Sequence, residues 1–490
     1  MTVNSAPEHP ARRVVVIGAG MSGILAGIRL RQAGITNFTI YEKGHRPGGT
    51  WRENRYPGLS CDVPSHHYCY SFEPNPEWSM RFSPGPEILA YFEGVADKYG
   101  VTPHIRLNQE ITRAEYHSGR WSIETASGLR DEADIVICAT GFLHHPVYPD
   151  IAGLDRFAGK CFHSARWDET AVLDNARVGI IGTGSTAMQI VPAIVDRVKK
   201  VSLFQRTAQW VLPMPNVPHT EAEKTKFRAS PKAMHDLYNY WAVRFQSTIA
   251  RAVVGDAVEM GRMEEGCRAN LEQNVHDPML RAKLTPDYKV ACKRLVMSDV
   301  FYPAIQQPNA ELVTTGITRI EPAGVRDTDG RLHELDILVL ATGFDGHAYM
   351  RPMQVIGERG QTLDDQWADG NVAHRSMGVP GFPNFFMLAG PHSPVGNFSI
   401  ILISELQIDY LMQLIEPVIR GDYIAVAPAA GAMNAFYTEL NGAMGNTVWA
   451  SGCKSWYINK QGKPEMWPWT FERFRDDMTR PKPEEYVFTR

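Results

Sequence analysis

Residues 13–31, RVVVIGAGMSGILAGIRLR, decide the fold of this chain. Residues 14–17 are all apolar, which is typical of a strand buried on both faces of a parallel sheet. Gly18, Gly20 and Gly23 follow at G-x-G-x-x-G spacing, and an apolar helix pattern begins at once. Strand, glycine turn and helix in this order predict a dinucleotide-binding unit, because pyrophosphate can approach the bare backbone and the N–H groups of the helix N-terminus.

A second strand is predicted over residues 38–41, with Glu42 at its end. A carboxylate at this place binds ribose hydroxyls in dinucleotide-binding folds. The alternative is a glycine turn without a ligand. The strand before the turn, the helix after it and the acid at the right distance argue against that alternative.

The same unit occurs a second time. Residues 177–181 (RVGII) predict a strand, and Gly182, Gly184 and Ala187 follow at G-x-G-x-x-A spacing before an apolar helix. Residues 201–204 predict the next strand. The chain therefore has two predicted nucleotide sites.

The two units differ in one charge. Arg206 stands at the same distance from Gly182 as Glu42 does from Gly18. An acid suits an unphosphorylated ribose, whereas a cation suits a 2′-phosphate. This difference predicts FAD on the first unit and NADPH on the second, which is the composition of a flavoprotein reduced by NADPH.

Composition limits the possible functions. The chain has 490 residues, 44% of them hydrophobic and 21% charged, which predicts a globular protein of several domains. A net charge of −4 provides no basic footprint for nucleic acid. No apolar run approaches the roughly 18 residues of a membrane span, so neither nucleic acid nor membrane is a predicted partner.

The seven cysteines are scattered and include no C-x-x-C pair. This pattern predicts reduced thiols in a cytoplasmic protein, without a disulfide framework and without a metal site. Residues 1–13 (MTVNSAPEHPARR) have no apolar core, so they are not predicted to be a signal peptide.

Residues 48–62, GGTWRENRYPGLSCD, predict a loop folded against something flat. The alternative is a structural loop in which Trp51 is a hydrophobic plug. The stretch resembles the Baeyer–Villiger monooxygenase pattern [AG]-G-x-W-x-x-x-x-[FY]-P-[GM]-x-x-x-D. The matching positions are Gly48, Gly49, Trp51, Tyr56, Pro57, Gly58 and Asp62.

Residues 157–168 are similar to the second signature of that family, F-x-G-x-x-x-H-x-x-x-W-[PD]. The matching positions are Phe157, Gly159, His163, Trp167 and Asp168. In the family this signature lies at the domain linker. The resemblance implies that His163 acts through domain positioning, so it is not a predicted catalytic residue.

Two adjacent cations, Lys293 and Arg294, end a mixed segment. On their own they are equally well interpreted as a solvated basic pair. The resemblance implies that Lys293 helps to hold the 2′-phosphate of NADPH. It also implies that Arg294 is the catalytic cation beside the flavin.

The sequence Ala-Thr-Gly-Phe occurs at 139–142 and again at 341–344, once after each nucleotide unit. This repetition fits two interleaved domains. Near the C-terminus, Ser-Trp-Tyr at 455–457, followed by a glycine and Lys-Pro, resembles the family's lid over substrate and nicotinamide.

The predicted fold is α/β, with two interleaved Rossmann-like dinucleotide-binding domains (a three-layer FAD/NAD(P)-binding fold) and a helical insert. The Met and aromatic stripe of the insert (Tyr238, Tyr240, Trp241, Phe245) is expected to be core. The predicted segments are 1–146, FAD-binding; 147–217, NADPH-binding; 218–287, helical insert; 288–344, NADPH-binding; and 345–490, FAD-binding with the C-terminal substrate and lid segment.

The predicted catalytic residues are Arg294 and Asp62. The predicted cofactor-binding residues are Gly18, Ala19, Gly20, Met21, Ser22, Gly23, Glu42, Lys43, Gly49, Thr50, Trp51, Asp62, Tyr68, Ile111, Gly182, Thr183, Gly184, Ser185, Thr186, Ala187, Arg206, Thr207, Lys293, Arg294 and Trp456.

The ordered motifs resemble class B flavoprotein monooxygenases of the type I Baeyer–Villiger group, and the tail is closer to the 4-hydroxyacetophenone monooxygenase branch. The resemblance implies FAD, NADPH, O2 and a small-molecule ketone, which receives one oxygen atom next to its carbonyl through a flavin C4a-peroxide. Arg294 would favour the peroxyanion and stabilise the oxyanion, with Asp62 as its buried partner. The product is an ester or lactone, and the chain is expected to be a monomer or homodimer.

Three other functions are weighed. A related monooxygenase could oxidise nitrogen or sulfur, which are nucleophiles and need only the neutral hydroperoxide. A disulfide reductase of the same plan needs a paired redox C-x-x-C or C-x-x-x-x-C, which this sequence lacks. A binding protein without catalysis would leave two complete nucleotide sites unexplained.

Overall fold

The computed structural model describes residues 12–490. The prediction about a signal peptide therefore falls, up to position 11, outside the described residues. The strands are β1 (Val14–Ile17), β2 (Phe38–Tyr41), β3 (Ile105–Arg106), β4 (Ile111–His117), β5 (Arg120–Thr125), β6 (Arg130–Ala133), β7 (Ile135–Cys138), β8 (Lys160–His163), β9 (Arg177–Ile181), β10 (Lys200–Phe204), β11 (Val211–Leu212), β12 (Val296–Met297), β13 (Ala310–Val313), β14 (Ile317–Glu321), β15 (Gly324–Asp327), β16 (Leu332–Glu334), β17 (Ile337–Leu340), β18 (Gln354–Ile356), β19 (Phe385–Met387), β20 (Ala425–Pro428) and β21 (Tyr486–Thr489).

The helices connect these strands and cover the sheets. They are α1 (Met21–Gln32), α2 (Thr50–Glu53), α3 (Gly85–Lys98), α4 (Ser185–Ile194), α5 (Glu221–Ala229), α6 (Pro231–Ser247), α7 (Ile249–Val253), α8 (Ala257–Asn274), α9 (Pro278–Leu284), α10 (Phe301–Ile305), α11 (Leu363–Gln366), α12 (Ile400–Ile419), α13 (Ala430–Met444) and α14 (Phe471–Asp477).

Two parallel five-stranded sheets organise the fold. The first has the order β19-β7-β1-β2-β3 and the second the order β13-β10-β9-β17-β8. The first sheet takes β19 from the C-terminal part of the chain, so the second sheet lies between its two contributions in sequence. The predicted α/β class with Rossmann-like parallel sheets is confirmed; the domain boundaries remain a prediction.

Alternate residues of β1 belong to two different cores. Val14 and Val16 pack in the cluster that contains α1, whereas Val15 and Ile17 pack with Trp121 and other residues of the β4-β5-β6 meander. Both faces of the strand are therefore buried, which explains its unbroken apolar run. The order helix, sheet, meander accounts for the three layers.

The turn glycines of the two units are held in the same way. Gly18 has φ +99° and Gly182 has φ +114°. A Cβ at Gly18 would overlap the Ala139 carbonyl oxygen, and one at Gly182 would overlap that of Ala341. Ala139 and Ala341 begin the two Ala-Thr-Gly-Phe sequences, so each repeat supports the turn of its own nucleotide unit.

The helical segment corrects one prediction. Helix α6 buries Tyr238, Ala242 and Phe245, which share one face at helical spacing, but Tyr240 is 54% exposed. Because Tyr240 is two residues from Tyr238, it points to the opposite side of the helix. The prediction that the whole aromatic stripe is core is therefore wrong at Tyr240.

The cysteines correct a second prediction. Cys292 and Cys453 form a disulfide across 161 positions of sequence, whereas the other five cysteines are free thiols. The expectation of reduced thiols is wrong for this pair, because pairing by tertiary proximity leaves no spacing motif. Within residues 12–490, no helix combines the length and apolarity of a membrane span.

Candidate active site

A cavity of about 580 Å³ is lined by residues from both glycine turns. The predicted site residues that line it are Gly18, Gly20, Met21, Ser22, Glu42, Lys43, Gly49, Thr50, Trp51, Asp62, Tyr68, Ile111, Gly184, Ser185, Thr186, Lys293, Arg294 and Trp456. The predicted site residues outside its lining are Ala19, Gly23, Gly182, Thr183, Ala187, Arg206 and Thr207.

The first turn is shaped to receive a phosphate. A Cβ at Gly49 would lie 3.1 Å from the Gly20 Cα, so two bare backbones meet at the cavity wall. Helix α1 begins beyond Gly20 without a side-chain cap, which leaves its first N–H groups for an anion. Gly23 does not face the cavity; a Cβ there would overlap the Gly18 carbonyl oxygen, so it brings the helix close to the turn.

Glu42 is already anchored by the protein. Its Oε2 accepts from the Ala19 N–H at 2.8 Å, and its Oε1 accepts from the Gly44 N–H at 2.7 Å and from Arg52 Nη1 at 2.6 Å. The side chains of Glu42 and Arg52 are only 5% and 4% exposed. Arg52 also pairs with Glu53. No sequence motif marks Arg52, and its role in holding Glu42 emerges only from the structure.

The second turn has the same open helix start. Helix α4 begins beyond Gly184 without a side-chain cap, and Ser185 and Thr186 line the cavity. Thr183 does not line the cavity; its hydroxyl donates to the Thr207 carbonyl oxygen at 2.8 Å and ties the turn to the segment that follows β10. Ala187, in the first turn of α4, is fully buried.

Lys293 and Arg206 lie close enough to affect each other. Burial, and next the charge of Arg206, lower the pKa of Lys293. The Lys293 ammonium lies 4.5 Å from the centroid of the Tyr288 ring. The charge of Asp287 acts in the opposite direction and raises the pKa of Lys293, as a smaller effect. Two neighbouring cations suit a phosphate.

Arg294 and Asp62, 232 positions apart, meet at the cavity wall. Arg294 donates to Asp62 Oδ2 from Nε at 2.9 Å and from Nη2 at 2.6 Å, and its Nη1 donates to the Val395 carbonyl oxygen at 3.3 Å. The Arg294 side chain is 36% exposed and lines the cavity. The charge of Asp62 raises the pKa of Arg294, and a hydrogen bond with Tyr457 adds to this effect. The guanidinium is therefore permanently charged and fixed in orientation.

The loop that carries Trp51 and Asp62 also joins the two nucleotide units. The Tyr56 hydroxyl donates to Gln189 Oε1 at 2.9 Å, and Gln189 Nε2 donates to the Ser60 carbonyl oxygen at 3.0 Å. A Cβ at Gly58 would overlap the Gln189 carbonyl oxygen of α4. Sequence reasoning missed Gln189, since it lies in an ordinary helix pattern.

The remaining predicted site residues line other parts of the cavity wall. Trp51 Nε1 donates to the Tyr68 hydroxyl at 3.3 Å, and both side chains are buried at the cavity with Ile111. Lys43 Nζ lies 3.4 Å from His144 Nδ1. The Trp456 ring stacks on Phe142, the last residue of the first Ala-Thr-Gly-Phe, at 5.7 Å between centroids.

His163 lies away from this wall. Its Nδ1 accepts from the Ala165 N–H at 3.1 Å, and its Nε2 lies 3.1 Å from the Gly343 carbonyl oxygen. These contacts connect the end of β8 to the second Ala-Thr-Gly-Phe sequence.

Comparisons with known proteins agree with this geometry. A family model described as pyridine nucleotide-disulphide oxidoreductase matches residues 15–217. The chain is 48% identical to an uncharacterized monooxygenase of Mycobacterium tuberculosis, over 97% of this chain and 96% of the relative. It is 41% identical to a Baeyer-Villiger monooxygenase of Streptomyces coelicolor (98% and 93% covered) and 36% identical to one of Pseudomonas aeruginosa (97% and 92%).

Solved structures match over nearly the whole chain. OTEMO in complex with FAD and NADP superposes with a TM-score of 0.88 at 26% identity, covering 98% of this chain and 100% of that one. Steroid monooxygenase bound to NADP gives 0.86 at 29% identity, covering 98% and 99%. Cyclohexanone monooxygenase bound to ε-caprolactone gives 0.85 at 28% identity, covering 98% and 99%.

Proposed function

Because this chain belongs to the type I Baeyer–Villiger monooxygenase family of class B flavin monooxygenases, we propose that it inserts one oxygen atom of O2 next to the carbonyl of a small-molecule ketone, giving an ester or lactone. FAD and NADPH are the proposed cofactors. The observation that carries this proposal is the guanidinium of Arg294, held by Asp62 at the cavity wall.

The first glycine turn fits FAD. The bare backbones at Gly20 and Gly49 and the uncapped start of α1 would hold the pyrophosphate, and Glu42 would bind the ribose. When bound, FAD accepts a hydride from NADPH and activates O2. Trp51 and Tyr68, buried at the cavity, would exclude water from the flavin side of the site.

The second turn fits NADPH. The uncapped start of α4 would hold its pyrophosphate, and Lys293 and Arg206 would bind the 2′-phosphate. Trp456, stacked on Phe142 at the cavity, would cover the nicotinamide end. The two cofactors would thus share one cavity.

Arg294 supplies the fixed positive charge that ketone oxidation requires. Attack on a carbonyl carbon places negative charge on the carbonyl oxygen, and a fixed cation at that point lowers the barrier. Asp62 orients the guanidinium and offsets its desolvation. The bond from Nη1 to the Val395 carbonyl oxygen is the longest of the three measured bonds, at 3.3 Å. A nucleophilic nitrogen or sulfur substrate needs no such cation, so the arrangement favours a ketone.

The proposed substrate class is a small-molecule ketone. The match to a cyclohexanone monooxygenase that binds ε-caprolactone supports a carbonyl compound as substrate and a lactone or ester as product. Cytoplasmic location and a monomeric or homodimeric state are retained as proposals.

One reaction tests the proposal. The purified yellow enzyme, NADPH and ¹⁸O2 are mixed with 4-(methylthio)acetophenone, which offers a ketone and a sulfide to the same oxidant. We expect an aryl acetate with one ¹⁸O atom, identified by mass spectrometry and NMR. Labelled sulfoxide without ester would refute ketone oxidation and establish heteroatom oxidation instead.

A further inference from the structure

The Cys292–Cys453 disulfide is outside the proposed chemistry, yet it lies beside the proposed site. Cys292 directly precedes Lys293 and Arg294, and Cys453 stands three residues before Trp456. The bond therefore links the segment that carries the two functional cations to the segment that covers the cavity.

Noncovalent contacts join the same two segments. Tyr457 is 3% exposed and hydrogen-bonds to Arg294. Cys292 lies 3.3 Å from the Ser451 hydroxyl, measured from Sγ to Oγ. Cys453 Sγ also lies 3.0 Å from the Cys292 carbonyl oxygen. Opening the disulfide leaves the two segments joined by weaker noncovalent contacts such as these.

The opposite end of the C-terminal segment is fixed elsewhere. Glu465 accepts from the Asn371 N–H at 3.0 Å, and Asn397 Nδ2 donates to the Trp467 carbonyl oxygen at 3.3 Å. Tyr457 is joined to this docked end, because its carbonyl oxygen accepts from the Glu465 N–H at 2.9 Å. Loss of the disulfide therefore loosens residues 453–456 from the cation segment while Tyr457 and residues 465–467 stay docked.

We propose that Cys292 and Cys453 form a reversible thiol–disulfide site at which a dithiol, either a small molecule or a dithiol protein, loosens the cover over the nicotinamide end of the cavity and weakens the binding of NADP⁺. This inference rests on the proposed cofactor site. The oxidised pair keeps the segment that carries Trp456 attached to the cation segment, and the reduced pair loosens that attachment.

Thiol–disulfide exchange with a dithiol reduces the Cys292–Cys453 bond in two steps. Cys453 is partly exposed and Cys292 is fully buried, so a thiolate of the dithiol attacks the Cys453 sulfur. The S–S bond breaks, Cys292 leaves as a thiolate and takes up a proton. The second thiol of the reductant then displaces Cys453, which gives two protein thiols and one oxidised dithiol for two electrons. Hydrogen peroxide reverses the change by taking two electrons and two protons to form water.

The first measurement asks whether the bond exists. FAD-loaded enzyme is alkylated with iodoacetamide without reductant, digested and analysed by mass spectrometry. We expect a Cys292–Cys453 linked peptide that disappears after dithiothreitol treatment. Finding both cysteines alkylated before reduction overturns the proposal.

The second measurement asks what the bond does. Isothermal titration of NADP⁺ into oxidised and dithiothreitol-treated enzyme should show roughly fivefold weaker binding after reduction, at the low end of typical coupling between sites. Cys453→Ser should bind as weakly as reduced enzyme and ignore dithiothreitol. Cys161→Ser, which removes an exposed free thiol, should respond as wild type does.

Equal NADP⁺ affinity before and after complete reduction overturns the proposal. Because peptide mapping and NADP⁺ titration involve no ketone, they are independent of the proposed oxidation. An enzyme that makes only sulfoxide but shows the redox-dependent affinity would refute ester formation and leave the thiol–disulfide site supported.

Discussion

Arg294 directs Nε and Nη2 to a single oxygen of Asp62, at 2.9 and 2.6 Å. Because both bonds share one edge of the planar guanidinium, its plane is fixed. The Val395 carbonyl oxygen accepts from Nη1 at a longer 3.3 Å. A substrate oxygen can compete for that nitrogen without breaking the ion pair.

Replacing Arg294 should slow oxidation of the ketone without slowing reduction of the flavin by NADPH. In Arg294→Ala the developing oxyanion loses its cation, so ester formation should fall by about 10²–10³-fold. Hydride transfer does not need this cation. Stopped-flow flavin reduction by NADPH should therefore stay close to wild type while gas chromatography detects little ester.

Arg294→Lys is the matched variant for that experiment. It keeps the charge but cannot make the two-bond contact with Asp62, so it should recover only part of the ester formation. Ester formation by Arg294→Ala at the wild-type rate would contradict a catalytic role for the guanidinium.

Asp62→Asn should act through Arg294. The amide keeps the shape of the side chain but removes the charge that raises the pKa of Arg294 and orients its plane. Misorientation of a catalytic group costs on the order of 10²-fold, so kcat for ester should fall by about that factor with little change in the KM for NADPH. If Asp62→Asn loses FAD instead, as shown by the absorbance of the purified protein, the residue serves cofactor binding and not orientation.

The sequence predicts the strands and glycine turns of the two nucleotide units because these elements have local sequence patterns. Val14 to Ile17 are apolar at every position, since both faces of β1 are buried, and the two glycine turns recur with Ala139 and Ala341 behind them. Helix α6 shows the limit of such patterns. The apolar pattern predicted that Tyr238 and Tyr240 are both core, but residues two positions apart on a helix face opposite sides, and Tyr240 is exposed.

Contacts between residues that are distant in sequence are visible only in the structure. The resemblance to a known family suggested Asp62 as the partner of Arg294, and the two are indeed joined. Nothing in the sequence connects Arg52 to Glu42 as a buried pair, or Cys292 to Cys453, because these contacts arise only when distant segments pack. The roles assigned to the site residues remain predictions until variants are measured.

Lys293→Ala should change cofactor preference. Removing one charge-assisted contact to the 2′-phosphate costs about 1.5–3 kcal/mol, so the KM for NADPH should rise roughly 10- to 100-fold. NADH lacks that phosphate, and its KM should stay nearly constant. Steady-state NAD(P)H oxidation measures both values.

The control for this change is Lys289→Ala, which removes an exposed lysine from the same segment. Its KM values should match wild type for both cofactors. Equal losses for NADPH and NADH in Lys293→Ala would place Lys293 elsewhere than at the 2′-phosphate.

Glu405, a buried carboxyl on α12, should make stability depend on pH. Burial raises its pKa from 4.5 to about 7; the Ser71 N–H donates to it at 2.8 Å, Arg29 lowers the pKa and Asp409 raises it. The unfolded chain ionises first, so stability is greatest below pH 4.5 and falls as the pH rises to about 7. Glu405→Gln, which stays neutral, should therefore raise Tm by a few degrees at pH 8 and hardly at pH 4.5, as differential scanning fluorimetry would show. The control is Glu416→Gln, at an exposed position on the same helix. A gain at pH 8 no larger than that of the control would contradict the raised pKa of Glu405.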